Sequence, residues 1–228
     1  MDLRLARQRL TNCAETVFDG HGPDLLIGVV RIRKDCDVRT IVLIGPPAAG
    51  KSTVGSLLAA ALGTSFVDAD EAGTVHYRAS GRPLESFIDR VDSEGFASAH
   101  RWWQRARVAA AAGLVHDHPG AVIAFGAGHS HFEDRSHFES TRVAVAECTV
   151  VLLLPDVDQT SSLAILRARC LGTRGHDWNR DDHDYLAEWV TSDQNQLLAD
   201  VVVYSDGLTP ERYSEKIELA VHDLARSE

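Results

Sequence analysis

Residues 45–52 read G-P-P-A-A-G-K-S and stand between two segments of opposite character. Before them runs Thr40-Ile41-Val42-Leu43-Ile44, apolar and largely β-branched, the pattern of a buried parallel strand. After them, Val54, Leu57, Leu58, Ala61 and Leu62 recur at spacings of three and four, which predicts a helix over 52–62 with one buried stripe, ended by Gly63. Strand, glycine turn and helix in that order are the context that the G-x-x-x-x-G-K-[ST] pattern requires, so a phosphate-binding loop is expected here.

The residue types follow from that chemistry. Gly45 and Gly50 permit a tight turn whose backbone N–H groups converge on phosphate oxygens, and the helix N-terminus adds partial positive charge. Ala48, Ala49 and Thr53 complete the cradle, and Pro46 and Pro47 stiffen it. Lys51 reaches the β- and γ-phosphates of a nucleotide, and the Ser52 hydroxyl is placed to ligate Mg²⁺. ATP and Mg²⁺ are therefore the expected cofactors.

Further strand candidates are 65–67, 121–125, 149–154 and 201–204, separated by helical stretches. The alternation predicts an α/β fold of three layers, with a central parallel sheet of about five strands. A chain of 228 residues, 44% hydrophobic, suffices for one substantial core over 39–228, with residues 1–38 as an N-terminal extension packed on it. Leu3, Leu10, Ala14 and Val17 suggest a helix in that extension, and 25–32 a further strand. The formal charge of −10 argues against non-specific nucleic-acid or anionic-membrane binding. Four separated cysteines without a C-x-x-C pair, and an N-terminus with no apolar leader region, place the expectation in the cytoplasm. Cys148 reads as a small buried hydrophobe.

Asp68 and Asp70 follow the second strand. On extended backbone both face one side, at the strand end that borders an α/β ligand crevice. Asp68 is placed for the Mg²⁺ environment and Asp70 for a substrate hydroxyl; helix capping is the competing account. A long helix is expected over 93–114, carrying His100, Arg101, Trp102, Trp103, Arg105 and Arg107, with only one of the adjacent tryptophans turned inward. Gly126-Ala127-Gly128 after the third strand lets ligand approach the backbone, and His129 is a candidate donor. Arg167, Arg169 and Arg174 fall in a cationic segment suited to stabilising a transferring phosphoryl group.

This order of features resembles the shikimate kinase family of small P-loop metabolite kinases, over roughly residues 39–225. The resemblance implies a P-loop kinase fold with a mobile lid near 168–184. It associates Asp68 with magnesium, Asp70 with the acceptor hydroxyl, and Gly126, Ala127 and Gly128 with the acceptor. Arg167 or Arg169 takes the adenine side, and Lys51, Asp70 and Arg174 carry the catalytic roles. One departure matters: the family's E-x-G-F-R segment, whose arginine holds shikimate's carboxylate, reads Glu94-Gly95-Phe96-Ala97 here. That loss argues against shikimate itself, with Arg101 or Arg105 the compensating candidates. The expected activity is ATP-dependent phosphorylation of a hydroxyl on a small metabolite. The alternatives are a nucleoside or nucleotide kinase, with Trp102, Trp103 or Phe125 stacking the base, and a nucleotide-dependent regulatory protein, disfavoured by the lack of N-K-x-D.

Overall fold

The computed structural model describes residues 14–15, 31–32 and 39–226 apart from position 206. The chain divides after Val38 into two units. In the first, Ala14–Glu15 pairs antiparallel with Arg31–Ile32, so the helix expected through Ala14 gives way there to strand pairing. The rest of that expected helix and strand, Cys13, Cys36, and the expected packing of the extension on the core lie outside the described residues.

The second unit is built on β1 (Ile41–Ile44), β2 (Phe66–Asp68), β3 (Val122–Ala124), β4 (Thr149–Leu154) and β5 (Val201–Tyr204). They form one five-stranded parallel sheet in the order β2-β3-β1-β4-β5. Parallel strands need crossovers, and these supply the outer layers. Period-two alternation divides the sheet's side chains between two cores. Val42, Ile44, Ile123, Val150 and Leu152 belong to one and Ile41, Leu43, Val122, Val151 and Leu153 to the other. The first core is covered by α6 (Gln104–Asp117), α7 (Arg135–Ala144) and α10 (Asp193–Leu198) through Leu114, Phe138 and Leu198. The second is covered by α1 (Lys51–Leu62), α8 (Gln159–Arg174), α9 (Tyr185–Val190) and α11 (Pro210–Ala225) through Leu58, Leu166, Leu186 and Ile217. Every residue of β1 is buried, as its unbroken apolar run required. Cys148 is buried too, which pushes its thiol up to about 11.

Four short helices lie between β2 and α6: α2 (Ala69–Ala72), α3 (Thr74–Ala79), α4 (Leu84–Glu94) and α5 (Phe96–Trp102). The single helix expected over 93–114 is thus three pieces, α4, α5 and α6. Gly95, at φ 86°, takes a conformation no helix continues through, and α4 stops there. At Trp103 the chain turns while helical hydrogen bonds carry on across it, Trp103 N–H to Ala99 C=O and Arg107 N–H to Trp103 C=O. Strand order reverses around β1, whose neighbours β3 and β4 lead to opposite sides, and the carboxyl ends of the strands there open a crevice. Among the described residues no helix is long and apolar enough to cross a membrane.

Candidate active site

The phosphate loop leaves the carboxyl end of β1 and enters α1 with three left-handed or strained residues, Gly45 (φ 135°), Ala48 (φ 59°) and Gly50 (φ 95°). At Gly45 a side chain is excluded twice over, by its φ and by space, since a Cβ would lie 2.5 Å from the Leu153 carbonyl of β4. The loop's glycine therefore answers to the neighbouring strand as well as to phosphate. Lys51 donates from Nζ to the Gly45 and Pro46 carbonyls, 2.8 Å each, and these two bonds hold the ammonium within the loop.

Asp68 and Asp70 are not both on extended backbone, contrary to the alternation expected of them. Asp68 ends β2 and is the N-cap of α2, accepting the Asp70 N–H at 3.0 Å. Asp70 is helical, and the tight turn between strand and helix brings both carboxylates to one cavity. Capping and ligand placement are here one arrangement. The other Asp68 oxygen accepts from Ser52 Oγ at 2.6 Å. This gives a solvent-accessible pair of hard oxygen donors beside the loop, which fits a cation that takes one or two protein ligands and completes its shell with water and phosphate.

A cavity of about 410 Å³ joins these groups. Gly50, Lys51, Ser52, Thr53 and Ala48 line one part, with Asp68 and Asp70 beside them. Gly126, Ala127, Gly128 and His129 close the side after β3. Both glycines are there for space. A Cβ on Gly126 would lie 2.7 Å from Asp70 Oδ1, and one on Gly128 would overlap the Arg107 guanidinium. His129 is buried, its Nε2 2.9 Å from Tyr77 Oη and its Nδ1 3.3 Å from the Gly126 carbonyl. Burial holds the ring well below the ordinary histidine range, against the opposing pull of Asp70, and burial with the charge of Asp70 raises the Tyr77 phenol.

The remaining wall is aromatic: Phe87, Phe96, Trp103, Trp178 and Trp189, with His100 and Arg107 set among them. Trp103 is the inward tryptophan, packed on Tyr77 and Phe87 at centroid distances of 4.5 and 4.6 Å. Trp102 faces the other way, under Arg82 and Arg90. His100 Nε2 lies 2.6 Å from Arg107 Nη1; guanidinium has only donors, so the imidazole accepts there and is neutral. Its proton affinity is held far down by burial and then by Arg107.

Neutral burial of His100 and His129 sets a pH dependence. Their folded values lie below the ordinary 6.5, so the unfolded chain binds more protons as pH falls below 6.5, and stability declines toward about pH 4. The expected loss at pH 5 is on the order of 2 kcal/mol for each ring. Urea midpoints at pH 7.5 and pH 5 check this, and a midpoint unchanged between them would rule out neutral burial.

Not every expected residue reaches the cavity. Arg101 is exposed and donates from Nε to Glu133 at 2.7 Å. Arg105 is exposed on α6, two positions from Arg107 and so on another helix face. Arg167 is ion-paired with Asp177 and Asp184, and Arg169 donates from Nη1 to the Ala48 carbonyl at 3.4 Å, against the back of the phosphate loop. The lid region expected near 168–184 begins as helix, since α8 runs through Arg174, whose side chain lies outside the described residues. Beyond it a hairpin pairs Asn179–Arg180 with His183–Asp184. Besides the Asp184 ion pair with Arg167, that hairpin is held where Asp181 accepts the Ala97 N–H of α5 at 2.8 Å, and where His183 Nε2 lies 2.6 Å from Glu188, which His131 also holds at 2.7 Å. The His131 hydrogen bond, with His183 adding to it, lowers the Glu188 carboxyl to about 2.

Sequence reasoning gave no role to Phe87, Trp178 or Trp189, and named His100 and Arg107 only among the residues of one long helix beside which a substrate cleft was an alternative to packing. A signal existed for part of the set: His100, Trp103 and Arg107 stand at i, i+3 and i+7, one helical stripe if helical order carries through position 103. Trp178 and Trp189 gave none, because they come from the approach to the hairpin and from α9, far along the chain from the other wall residues.

The shikimate kinase family model matches residues 47–218, from the phosphate loop to the last helix. This chain belongs to the shikimate kinase family. It is 32% identical over 187 residues to a shikimate kinase of Salinispora arenicola, covering 77% of this chain and 93% of that one. It is 34% identical over 181 residues to a shikimate kinase of Streptomyces coelicolor, covering 77% and 91%. Two solved structures share the fold. Shikimate kinase from Acinetobacter baumannii in complex with shikimate superposes with a TM-score of 0.59 at 18% identity, covering 82% of this chain and 94% of that one. The enzyme from Aquifex aeolicus superposes at 0.55 and 23% identity, covering 82% and 98%. Family membership makes the chain an ATP-dependent phosphotransferase of P-loop kinase type that acts on a small molecule.

Proposed function

We propose that this enzyme transfers the γ-phosphoryl group of ATP to a hydroxyl of a small metabolite other than shikimate. The observation that carries the reading is the sharing of one cavity by the phosphate loop and the Asp70 carboxylate, with the Gly126–Gly128 backbone between them and the aromatic wall. Lys51 and the N–H groups at the start of α1 are set to stabilise negative charge on the moving phosphoryl group. Ser52 and Asp68 would hold Mg²⁺, which supplies neutralisation of phosphate charge when bound. Asp70 orients the acceptor hydroxyl and takes its proton as the new O–P bond forms and the bond to the β-phosphate bridging oxygen breaks, releasing ADP. Arg169, anchored on Ala48, and Arg167 border the nucleotide side, and Arg174 is the candidate cation over the transferred group. The hairpin carrying Trp178 covers the acceptor side and keeps water from competing as acceptor.

Ala97 supports an acceptor different from shikimate. It has no guanidinium, its backbone N–H is committed to Asp181, and neither Arg101 nor Arg105 lines the cavity in its stead. A second reading, a nucleoside or nucleotide kinase, draws on the same aromatic wall, where Trp103 could stack a base, whereas Phe125, 1% exposed, is part of the core. Incubation with ATP, Mg²⁺ and a metabolite pool, followed by mass analysis, separates the two. A non-nucleotide product heavier by one phosphoryl group is expected; nucleotide products alone would favour the second reading, and ATP consumption without any phosphorylated product would end both.

A further inference from the structure

Arg107 is 2% exposed, yet no carboxylate lies within ion-pairing distance of it among the described residues. Its guanidinium donates to His100 Nε2 and to the His100 carbonyl, at 2.6 and 3.2 Å, both neutral acceptors. Its Nε–H has no hydrogen-bond acceptor among the described residues, and the guanidinium carbon lies over the Phe132 ring, 5.6 Å from its centroid. Burial alone would drive such a group toward deprotonation, and even so it is lowered only to about 10, so the charge is retained at neutral pH. A buried cation without a counter-ion is costly unless something in the working protein pairs with it.

Two other cavity residues repeat the deficit. Trp178 Nε1 and Trp189 Nε1 are buried N–H donors with no acceptor among the described residues, and the two indoles pack edge to face at 5.2 Å. Three residues of one wall, Arg107, Trp178 and Trp189, therefore carry buried N–H groups that no acceptor among the described residues receives. What completes such a set is a ligand group rich in lone pairs and carrying no hydrogens of its own, with negative charge. The rest of the wall limits what that group is attached to. Phe87, Phe96 and Trp103 present ring surface and few hydrogen-bonding atoms, so a polyol would leave its hydroxyls unpaired there, whereas an aromatic ring would not.

Resting on the kinase reading above, we propose that the acceptor is an aromatic-ring compound bearing an anionic oxygen group, a carboxylate, read by Arg107 with Trp178 and Trp189, as well as the hydroxyl presented to Asp70. Arg107 is then the specificity-determining residue for the acceptor. It lies on α6, away from Ala97 on α5, so the clamp is relocated and placed within an aromatic frame. Gly128 is the counterpart of this choice, because any larger residue there would occupy the guanidinium's position.

Benzoate, benzamide and inositol, titrated calorimetrically into the enzyme with Mg²⁺ and ADP present, test this directly. Benzoate is expected to bind about tenfold or more tighter than benzamide, with no binding of inositol at the same concentrations. In Arg107→Met the two aromatic probes should bind alike, and Arg107→Lys, which keeps the charge, should restore part of the difference, with circular dichroism melting showing that each variant folds. Equal binding of benzoate and benzamide to the parent, or a benzoate preference surviving in folded Arg107→Met, would overturn the proposal. The kinase reading is judged separately, by product mass. A benzoate preference without any phosphoryl transfer would leave the anion site standing and sink the kinase reading, and transfer to a neutral polyol with no benzoate preference would do the reverse.

Discussion

Lys51→Met is expected to lower the rate of phosphoryl transfer by roughly a thousandfold and to weaken ATP binding as well. Methionine keeps the length of the stem and removes the cation. Lys51 is held within the loop by the Gly45 and Pro46 carbonyls, so its ammonium needs little reorganisation to meet charge developing on the transferred group. Preorganisation of that kind is why one lost donor costs several kcal/mol of transition-state stabilisation, about 4 kcal/mol for the factor given. Coupled-assay rates at saturating ATP, with ATP affinity measured by calorimetry, separate the two effects. A variant within tenfold of the parent in rate would remove Lys51 from the catalytic assignment.

Asp70→Asn is expected to lower kcat by about 10²- to 10⁴-fold while leaving ATP affinity near that of the parent. The substitution preserves shape, so Gly126 keeps its neighbour, and the backbone N–H of position 70 can still cap onto Asp68. What is lost is the base toward the acceptor hydroxyl, whereas Ser52 and Asp68 retain their mutual contact. The distinguishing measurement is the split between rate and nucleotide affinity. An equal fall in both would indicate that Asp70 serves the nucleotide side instead, and an unchanged kcat would exclude it from proton transfer.

Much of the fold was legible because its signals are local. The five sheet strands fall where apolar, β-branched runs stand, to within a residue or so at their ends, since strands buried on both faces have no polar alternation to blur them. The helix over 93–114 was misread because its periodicity is nearly continuous. Its interruption depends on Gly95, whose φ of 86° is set with Asp181 of a distant hairpin close by, and on a turn at Trp103 that leaves the hydrogen-bond ladder almost intact. Asp68 and Asp70 were read on extended backbone, and the early start of α2 is a capping event that spacing alone could not separate from a longer strand.

The site divides the same way. G-x-x-x-x-G-K-[ST] is contiguous, and its chemistry depends mostly on its own backbone, so eight residues sufficed to announce a phosphate loop. The aromatic wall is assembled from α4, α5, α6, the segment just before the hairpin and α9, and no spacing in the chain relates Phe87 to Trp189. Arginines chosen for nearness in sequence, Arg101 and Arg105, turned out to face solvent, because helical phase, fixed by how α5 and α6 pack, decides which of several neighbouring cations is buried. The sequence by itself determined that this chain handles phosphate at the start of a helix, since that requirement is satisfied within one local turn. Only the tertiary structure decided that Arg107 and a group of aromatic side chains line one cavity with that loop, because burial without a counter-ion is a property of what packs around a residue and not of the residues beside it.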